Sequence, residues 1–237
     1  MSSVPLSPTS PAFENLAEII DHSLLRPGLS ASEVVEQLEL AKRLRVASVT
    51  LRPCDIDLGA RTLEGSPVKA GSICSHPYGW DNTSVKLFAV RDLIRRGARE
   101  IDTVVAASRL ISREFQNVQS ELTQLAETCR KEGAALKVIL EATCLTDELK
   151  IIGCRCCERA EVQFVVGYTV EDVKLLRKYL PEEIGVKAVC EISTLDHVLQ
   201  ITAAGATRIG TSSTVALVEE WEVRKKAEAT QPPPART

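Results

Sequence analysis

The sequence predicts a single-domain (β/α)8 barrel of the TIM-barrel class, and three observations support this prediction. The chain has 237 residues, which suits one α/β barrel with a large core. Short β-type runs alternate with amphipathic helical stretches, and the number of predicted strands is eight. Polar residues within several strands fall at alternate positions, so they share one face. A parallel sheet that closes on itself accounts for all three.

The predicted strands are short runs rich in Val, Ile and Leu. Their polar residues recur with a period of two, as in Glu100-Ile101-Asp102-Thr103-Val104-Val105. We place the strands at 20–23, 47–51, 68–74, 100–105, 136–141, 162–166, 185–189 and 207–210.

The stretches between the strands show the apolar periodicity of helices with one buried face. Ser30 or Ser32 is suited to cap the first helix, because a serine side chain accepts hydrogen bonds from free N–H groups. Glycines 97, 133 and 205 stand where three helices are expected to end. The predicted helices are 32–44, 82–96, 114–132, 170–180, 195–204 and 215–229.

The two ends of the chain differ in composition from the rest. Residues 1–12 are rich in Ser and Pro, and residues 230–237 contain three consecutive prolines. Such segments cannot bury enough apolar surface to fold. We therefore predict two disordered tails around a barrel domain that spans 13–229.

Composition excludes several classes of function. The formal charge of −3 leaves no basic face for a nucleic acid, and no run of about 18 apolar residues could cross a membrane. The chain has eight cysteines but no charged start followed by an apolar signal segment. We expect reduced thiols in a cytoplasmic protein.

The cluster Cys154-x-Cys156-Cys157 is the one cysteine group that resembles a metal motif. In a helix, Cys156 points away from the face that Cys154 and Cys157 share, and no nearby histidine completes four ligands. Buried cysteines pack as small apolar residues. We predict a structural role, with no metal and no cofactor.

The residues of interest are those that point inward at the carboxyl ends of the strands, where barrels of this class place their sites. Asp102, Lys137, Glu141, Lys187 and the loop after Gly210 meet that condition. A buried lysine beside a second cation has a lowered pKa and can act as a nucleophilic amine. The sequence thus favours carbonyl chemistry, although each residue alone could be a member of a structural ion pair.

Six segments, in this order and spacing, resemble the deoxyribose-phosphate aldolases over nearly the whole ordered length. The resemblance implies a class I aldolase, which cleaves 2-deoxyribose 5-phosphate to glyceraldehyde 3-phosphate and acetaldehyde through a Schiff base. The segments are Ile20-Asp21-His22-Ser23-Leu24-Leu25-Arg26-Pro27, Glu100-Ile101-Asp102, Leu136-Lys137-Val138-Ile139-Leu140-Glu141, Thr169-Val170-Glu171-Asp172-Val173-Lys174, Val186-Lys187-Ala188 and Ala204-Gly205-Ala206-Thr207-Arg208-Ile209-Gly210-Thr211-Ser212-Ser213.

The resemblance also assigns roles to individual residues. Asp102 matches the carboxylate that relays protons, Lys187 the lysine that perturbs the nucleophile, and Lys137 a supporting cation. The turn formed by Gly210, Ser212 and Ser213 matches a phosphate-binding site at the start of a helix. The implied partner is a sugar phosphate or a related aldehyde, and a homodimer is the candidate assembly.

The chain departs from the family pattern at two loops. Family members have a Schiff-base lysine at the end of the sixth strand, followed by a phosphate loop; here Val166 stands at that position and Gly167-Tyr168 leads directly to the next helix. After Lys187-Ala188, paired glycines are replaced by Val189-Cys190-Glu191-Ile192, and the carboxylate of Glu191 would repel a phosphate in a poorly screened cleft.

These departures leave three hypotheses. Aldolase chemistry could persist, weak or altered, with Lys187 forming the imine. The barrel could instead be an inactive relative that acts as a binding protein. It could also be repurposed for a substrate without phosphate, with His76 and Trp80 in an altered pocket and with His76 or Cys190 as a new reactive group.

Overall fold

The computed structural model describes residues 15–140, 142–189 and 191–229. Glu141, Cys190 and both predicted tails lie outside the described residues, so the predictions made for them stay predictions.

The eight strands form one closed parallel barrel in sequence order, as predicted. Each predicted strand is present, and each of its bounds lies within two residues of the predicted one. The strands are β1 (Ile20–Leu24), β2 (Ser48–Leu51), β3 (Lys69–Cys74), β4 (Glu100–Val104), β5 (Ala135–Ile139), β6 (Phe164–Gly167), β7 (Gly185–Val189) and β8 (Arg208–Thr211).

Helices surround the barrel, and the six predicted ones are confirmed. Three further helices were not placed by the pattern, namely α2, α4 and α6; of these, α2 and α4 are short. The helices are α1 (Ala31–Leu44), α2 (Ile56–Thr62), α3 (Thr83–Arg95), α4 (Ala107–Ile111), α5 (Phe115–Lys131), α6 (Asp147–Ala160), α7 (Val170–Tyr179), α8 (Leu195–Ala203) and α9 (Thr214–Ala229). No helix in the described ranges is long and apolar enough to cross a membrane.

Side-chain direction divides each strand between two environments. Outward residues pack against the helices and are fully buried; they include Val49, Ile101, Val138, Val165, Val186 and Ile209. Inward residues are largely polar. The alternating polar positions of the sequence therefore mark the barrel interior, while the apolar core lies between the sheet and the helices.

Local signals fix the helix ends. Ser30 caps α1 in a capping box with Glu33. Thr169 caps α7 in the same way with Asp172, so Tyr168 and Thr169 alone connect β6 to α7. Gly205 follows α8 with a φ of 111°, which is costly for a residue with a Cβ. The shortened connection after β6 is thus a well-formed turn.

Candidate active site

Two stacked layers of side chains fill the upper half of the barrel. Layers in such barrels draw one residue from every second strand, because the pairing is staggered by about one residue per strand. The register of the paired strands then defines the layers. The upper layer, from the even strands, contains Thr50, Asp102, Val166 and Gly210. The layer beneath it, from the odd strands, contains Asp21, Gly71, Lys137 and Lys187.

The three residues assigned to catalysis are in contact. Lys187 Nζ lies 2.5 Å from Asp102 Oδ2 and 2.8 Å from Asp21 Oδ2. Lys137 Nζ lies 3.3 Å from Asp102 Oδ1, on the other oxygen of the same carboxylate. All of these side chains point into the barrel and are almost completely buried. Asp102 therefore links the two lysines.

Lys137 does not have the lowered pKa expected from a neighbouring cation. Burial lowers the pKa of Lys137, but the carboxylates of Asp102, Asp21 and Glu100 outweigh burial and raise it well above its ordinary value. The last two lie 2.6 and 2.5 Å from Nζ. The expectation of a neutral amine is wrong for this residue, because three anions surround it. Lys137 is held as an ammonium ion and is a poor nucleophile.

Asp21 is the anion that connects most of the cluster. Burial would raise the pKa of Asp21, yet Lys137, Lys187 and Arg208 hold it well below its ordinary value. Arg208 Nη1 donates to Asp21 Oδ1 over 2.6 Å, and the Ser48 hydroxyl donates to the same oxygen, also over 2.6 Å. The carboxylate stays ionised although it is fully buried.

Sequence reasoning did not assign site roles to Asp21, Glu100 and Arg208. Glu100 and Arg208 lie in the layer below Lys137, where Arg208 Nη1 is 3.4 Å from Glu100 Oε2. Both follow the same inward alternation as Asp102 and Gly210 on their own strands, and this alternation could have revealed them. With them, three carboxylates balance three cations inside the barrel.

Val166 lies above this charged layer in apolar surroundings. It is buried and packs with Val104, Ile139, Tyr168 and Val189 in a cluster separate from the main core. Val166 and Lys187 are direct register partners on β6 and β7. The position expected to carry the Schiff-base lysine is therefore next to Lys187. The apolar cluster around Val166, called the collar below, lowers the local dielectric around Lys187.

The residues assigned to phosphate binding occupy different places. Gly210 lies inside the barrel, where an added Cβ would be 3.1 Å from Lys187 Cε, so its lack of a side chain leaves room for that lysine. Ser212 lines a cleft of about 570 Å³ together with Ser23 and Arg26. The Ser213 N–H donates to Thr211 Oγ1 over 2.9 Å, which uses this donor within the turn.

The remaining candidates lie outside the barrel interior. His76 is exposed, and Trp80 is 76% exposed and stacks on the exposed ring of Tyr78. Glu191 is also exposed, so the poorly screened cleft expected for it is not present and water screens its charge.

The cysteine cluster on α6 is buried. Burial raises the pKa of Cys154 to about 12 and that of Cys157 well above its ordinary value. Protonated thiols packed in the core do not favour metal binding or nucleophilic attack.

Comparison with known proteins identifies the family. The deoxyribose-phosphate aldolase of Bacteroides thetaiotaomicron is 37% identical over 223 residues, which cover 91% of this chain and 94% of that protein. The deoxyribose-phosphate aldolase of Thermoanaerobacter pseudethanolicus is 36% identical over 220 residues, covering 89% and 99%. None of the protein-family models matches the chain.

Solved structures agree with the sequence relatives. An aldolase named QR15 superposes with a TM-score of 0.84 at 29% identity and covers 91% of this chain and 99% of that one. The deoxyribose phosphate aldolase of Aeropyrum pernix, described as tetrameric, superposes with a TM-score of 0.80 at 27% identity, covering 87% and 90%. Taken with the interior charge cluster, these similarities show that the chain belongs to the deoxyribose-phosphate aldolase family.

Proposed function

We propose that the protein cleaves 2-deoxyribose 5-phosphate, or a related hydroxyaldehyde, by class I aldolase chemistry in which Lys187 is the imine-forming amine. The observation that supports this most strongly is the 2.5 Å contact between Lys187 Nζ and Asp102 Oδ2, beside Val166. Lys187 reaches the upper layer because Gly210 leaves room for it. Lys137, held as an ammonium ion, is the supporting cation.

The reaction begins with a proton transfer. Asp102 takes a proton from Lys187 across their short contact, and the neutral amine adds to the C1 aldehyde of the open-chain sugar. The carbonyl oxygen leaves as water, which gives an iminium ion. That cation accepts the electron pair of the C2–C3 bond when the bond breaks.

Asp102 also serves the second half of the reaction. A proton leaves the C3 hydroxyl as C3 becomes the aldehyde of glyceraldehyde 3-phosphate, and a proton returns to C2 of the enamine. Hydrolysis of the resulting iminium releases acetaldehyde and restores Lys187. The buried ion pairs of Asp21 and Lys137 keep the charges beside Asp102 fixed during these transfers.

The phosphate end of the substrate is assigned to the cleft lined by Ser212. The Ser212 hydroxyl and the Arg26 guanidinium supply this cleft with a hydrogen bond and a positive charge. Gly210 and Ser213 contribute by shaping the turn. Glu33 and Glu36 line the same cleft and oppose an anion, which is consistent with weak phosphate binding and a low rate.

Borohydride trapping tests the imine directly. The protein is incubated with 2-deoxyribose 5-phosphate, reduced, digested and mapped by mass. We expect an adduct on Lys187 that the Lys187→Met variant lacks and the Lys131→Met variant retains, since Lys131 is exposed on α5. An adduct elsewhere contradicts the assignment of Lys187. Sugar binding without an adduct indicates a binding protein, and absence of both indicates another substrate; either result overturns the proposal.

We further propose that the protein is cytoplasmic and forms a homodimer through one face of α3. Tyr78 and Trp80 precede this helix, and Val85 and Phe88 lie on its outer side, with Phe88 68% exposed. Contiguous exposed apolar residues mark interfaces.

Charge complementarity favours a second copy as the partner on this face. In an antiparallel pairing of two α3 helices centred on Phe88, Asp81 of one copy faces Arg95 of the other. We expect Phe88→Glu to yield monomers in sedimentation while Phe115→Leu, a change on α5, leaves the dimer intact. A wild-type protein that sediments as a monomer contradicts this assembly.

A further inference from the structure

Thr50 presents a buried hydroxyl that the structure does not use. Its side chain belongs to the upper layer of the barrel, and the residue is 2% exposed. Its Oγ1 has no hydrogen-bond partner among the described residues. Burying a hydroxyl without a hydrogen bond destabilises a protein, so a folded protein that keeps one in a functional layer calls for an explanation.

Asp102 presents a second buried group without a hydrogen bond in the same layer. Its Oδ2 is engaged by Lys187, but its Oδ1 makes no hydrogen bond within the described ranges, and Lys137 approaches it only at 3.3 Å without hydrogen-bond geometry. A hydroxyl that can donate or accept and a carboxylate oxygen that accepts therefore occur together. Each is more than nine-tenths buried.

The space between these two groups is not filled by a side chain from the intervening strand. Thr50 is on β2 and Asp102 on β4, about 10 Å apart as backbones, given roughly 4.8 Å between neighbouring strands. On β3 the register partner of Thr50 is Gly71, which has no side chain, and that of Asp102 is Ile73, whose inward side chain lies one layer above the two groups. The inward reach of Thr50 and Asp102 reduces the gap to a size that one small polar group can bridge.

We propose that Thr50 Oγ1 and Asp102 Oδ1 together bind one hydroxyl group of the substrate, the C3 hydroxyl that becomes a carbonyl on cleavage. This hydroxyl donates its proton to Asp102 and accepts a hydrogen bond from Thr50, which satisfies both buried groups at once. The inference rests on the proposed function, and it deepens that function by making Thr50 a specificity residue for 3-hydroxyaldehydes.

The arrangement gives a defined selectivity. A sugar that lacks the C3 hydroxyl leaves both buried groups unpaired, so it binds more weakly than the hydroxylated sugar. Removal of the Thr50 hydroxyl eliminates one hydrogen bond, which corresponds to a loss of about three- to tenfold in affinity. That loss applies only to the sugar that carries the hydroxyl.

Calorimetric binding of two sugars to four proteins tests this. The sugars are 2-deoxyribose 5-phosphate and its 2,3-dideoxy analogue, which cannot be cleaved. The proteins are the wild type, Thr50→Val, Thr50→Ser and the control Thr103→Val. Valine keeps the shape of threonine without the hydroxyl, whereas serine keeps the hydroxyl. Thr103 is an equally buried threonine on β4 whose side chain has the opposite parity to Asp102 and points out of the barrel.

We expect Thr50→Val to weaken binding of the hydroxylated sugar three- to tenfold and leave the dideoxy analogue unchanged. Thr50→Ser and Thr103→Val should bind both sugars like the wild type. Equal effects on both sugars, no effect on either, or no binding to the wild type overturns the inference. If the expected pattern occurs without cleavage, the inference stands and the proposed function fails. If cleavage occurs and Thr50→Val binds both sugars like the wild type, the proposed function stands and the inference fails.

Discussion

Replacement of Lys137 by methionine tests whether the interior charges are balanced as described. The Lys137 ammonium contacts Asp21, Glu100 and Asp102, so its removal leaves three buried carboxylates with two largely buried cations, Lys187 and Arg208. Lys69 Nζ lies 3.6 Å from Glu100 Oε1, but its side chain is 54% exposed and water screens its charge. Methionine matches the length of the lysine stem, so packing changes little. The expected cost arises mainly from one uncompensated negative charge.

The expected loss of unfolding free energy equals the cost of protonating one carboxylate, which removes the uncompensated charge. A carboxyl group with an ordinary pKa of 3.8 must be protonated at pH 7, which costs about 4 kcal/mol at about 1.4 kcal/mol per pH unit. This agrees with the roughly 3–5 kcal/mol found when a buried ion pair is broken. At pH 5 the same protonation costs only about 2 kcal/mol.

Charge balance also predicts how the destabilisation of Lys137→Met changes with pH. In the wild type the folded pKa of Asp21 is depressed, so its contribution to stability is present at neutral pH and is lost on acidification. In Lys137→Met one carboxyl has a raised folded pKa, so its contribution is present at low pH and is lost as the pH rises. The difference in unfolding free energy between the two proteins must therefore shrink as the pH falls.

Urea denaturation at pH 5, 6 and 7 measures this difference. Lys131→Met is the control, because Lys131 is 77% exposed and lies 3.8 Å from Glu127; it should change stability by less than about 1 kcal/mol at each pH. A loss for Lys137→Met below about 1 kcal/mol at pH 7, or one that does not vary with pH, would refute the charge-balance argument.

Three further predictions follow from the same region. Val166→Lys should not raise turnover of 2-deoxyribose 5-phosphate by more than tenfold and should lower the unfolding free energy by about 1–3 kcal/mol, because the collar is apolar and packed; full recovery of activity would contradict this. Gly210→Ala should reduce activity at least tenfold and destabilise by about 1–3 kcal/mol, since its Cβ would lie 2.6 Å from Val189 Cγ1 and 3.1 Å from Lys187 Cε; wild-type kinetics would exclude the contact. Burial lowers the pKa of His22 below 6.5, so stability should decline as the pH falls below about 6.5, and His22→Gln should flatten that decline in urea titrations at pH 5–7; parallel curves would contradict it.

Much of the fold follows from local pattern. Polar residues such as Asp102 and Lys187 recur with a period of two along their strands. This alternation identifies which face of each strand points into the barrel, and the register between strands then determines the layers. The short helix α2 was missed because seven residues provide too few apolar repeats for a periodic signal. Arg45 ends α1 in a left-handed conformation that is usually occupied by glycine, so apolar periodicity alone, without a glycine signal, placed the end at Leu44.

The ionisation state of the site was less accessible to sequence reasoning. Two lysines at strand ends suggested that each would lower the pKa of the other. The opposite holds for the pKa of Lys137, because Asp102 and Glu100 from the neighbouring strand and Asp21 from β1, 116 positions away in the chain, all converge on its ammonium group. The role of Gly210 as a space for Lys187 likewise depends on the stagger between β7 and β8, which single-strand patterns do not contain.

The charged hydrogen bond between Arg208 and Asp21 joins the last strand of the barrel to the first, and the two residues are 187 positions apart in the chain. Asp21 also forms ion pairs with Lys137 and Lys187. The whole site therefore depends on the pairing of β1 with β8, the seam at which the barrel closes. Before the seam closes, a nascent or unfolding chain has no complete set of counter-ions at any lysine. Assembly of the site and completion of the barrel are thus one cooperative event, so the site can catalyse only after one of the most non-local contacts among the described residues has formed.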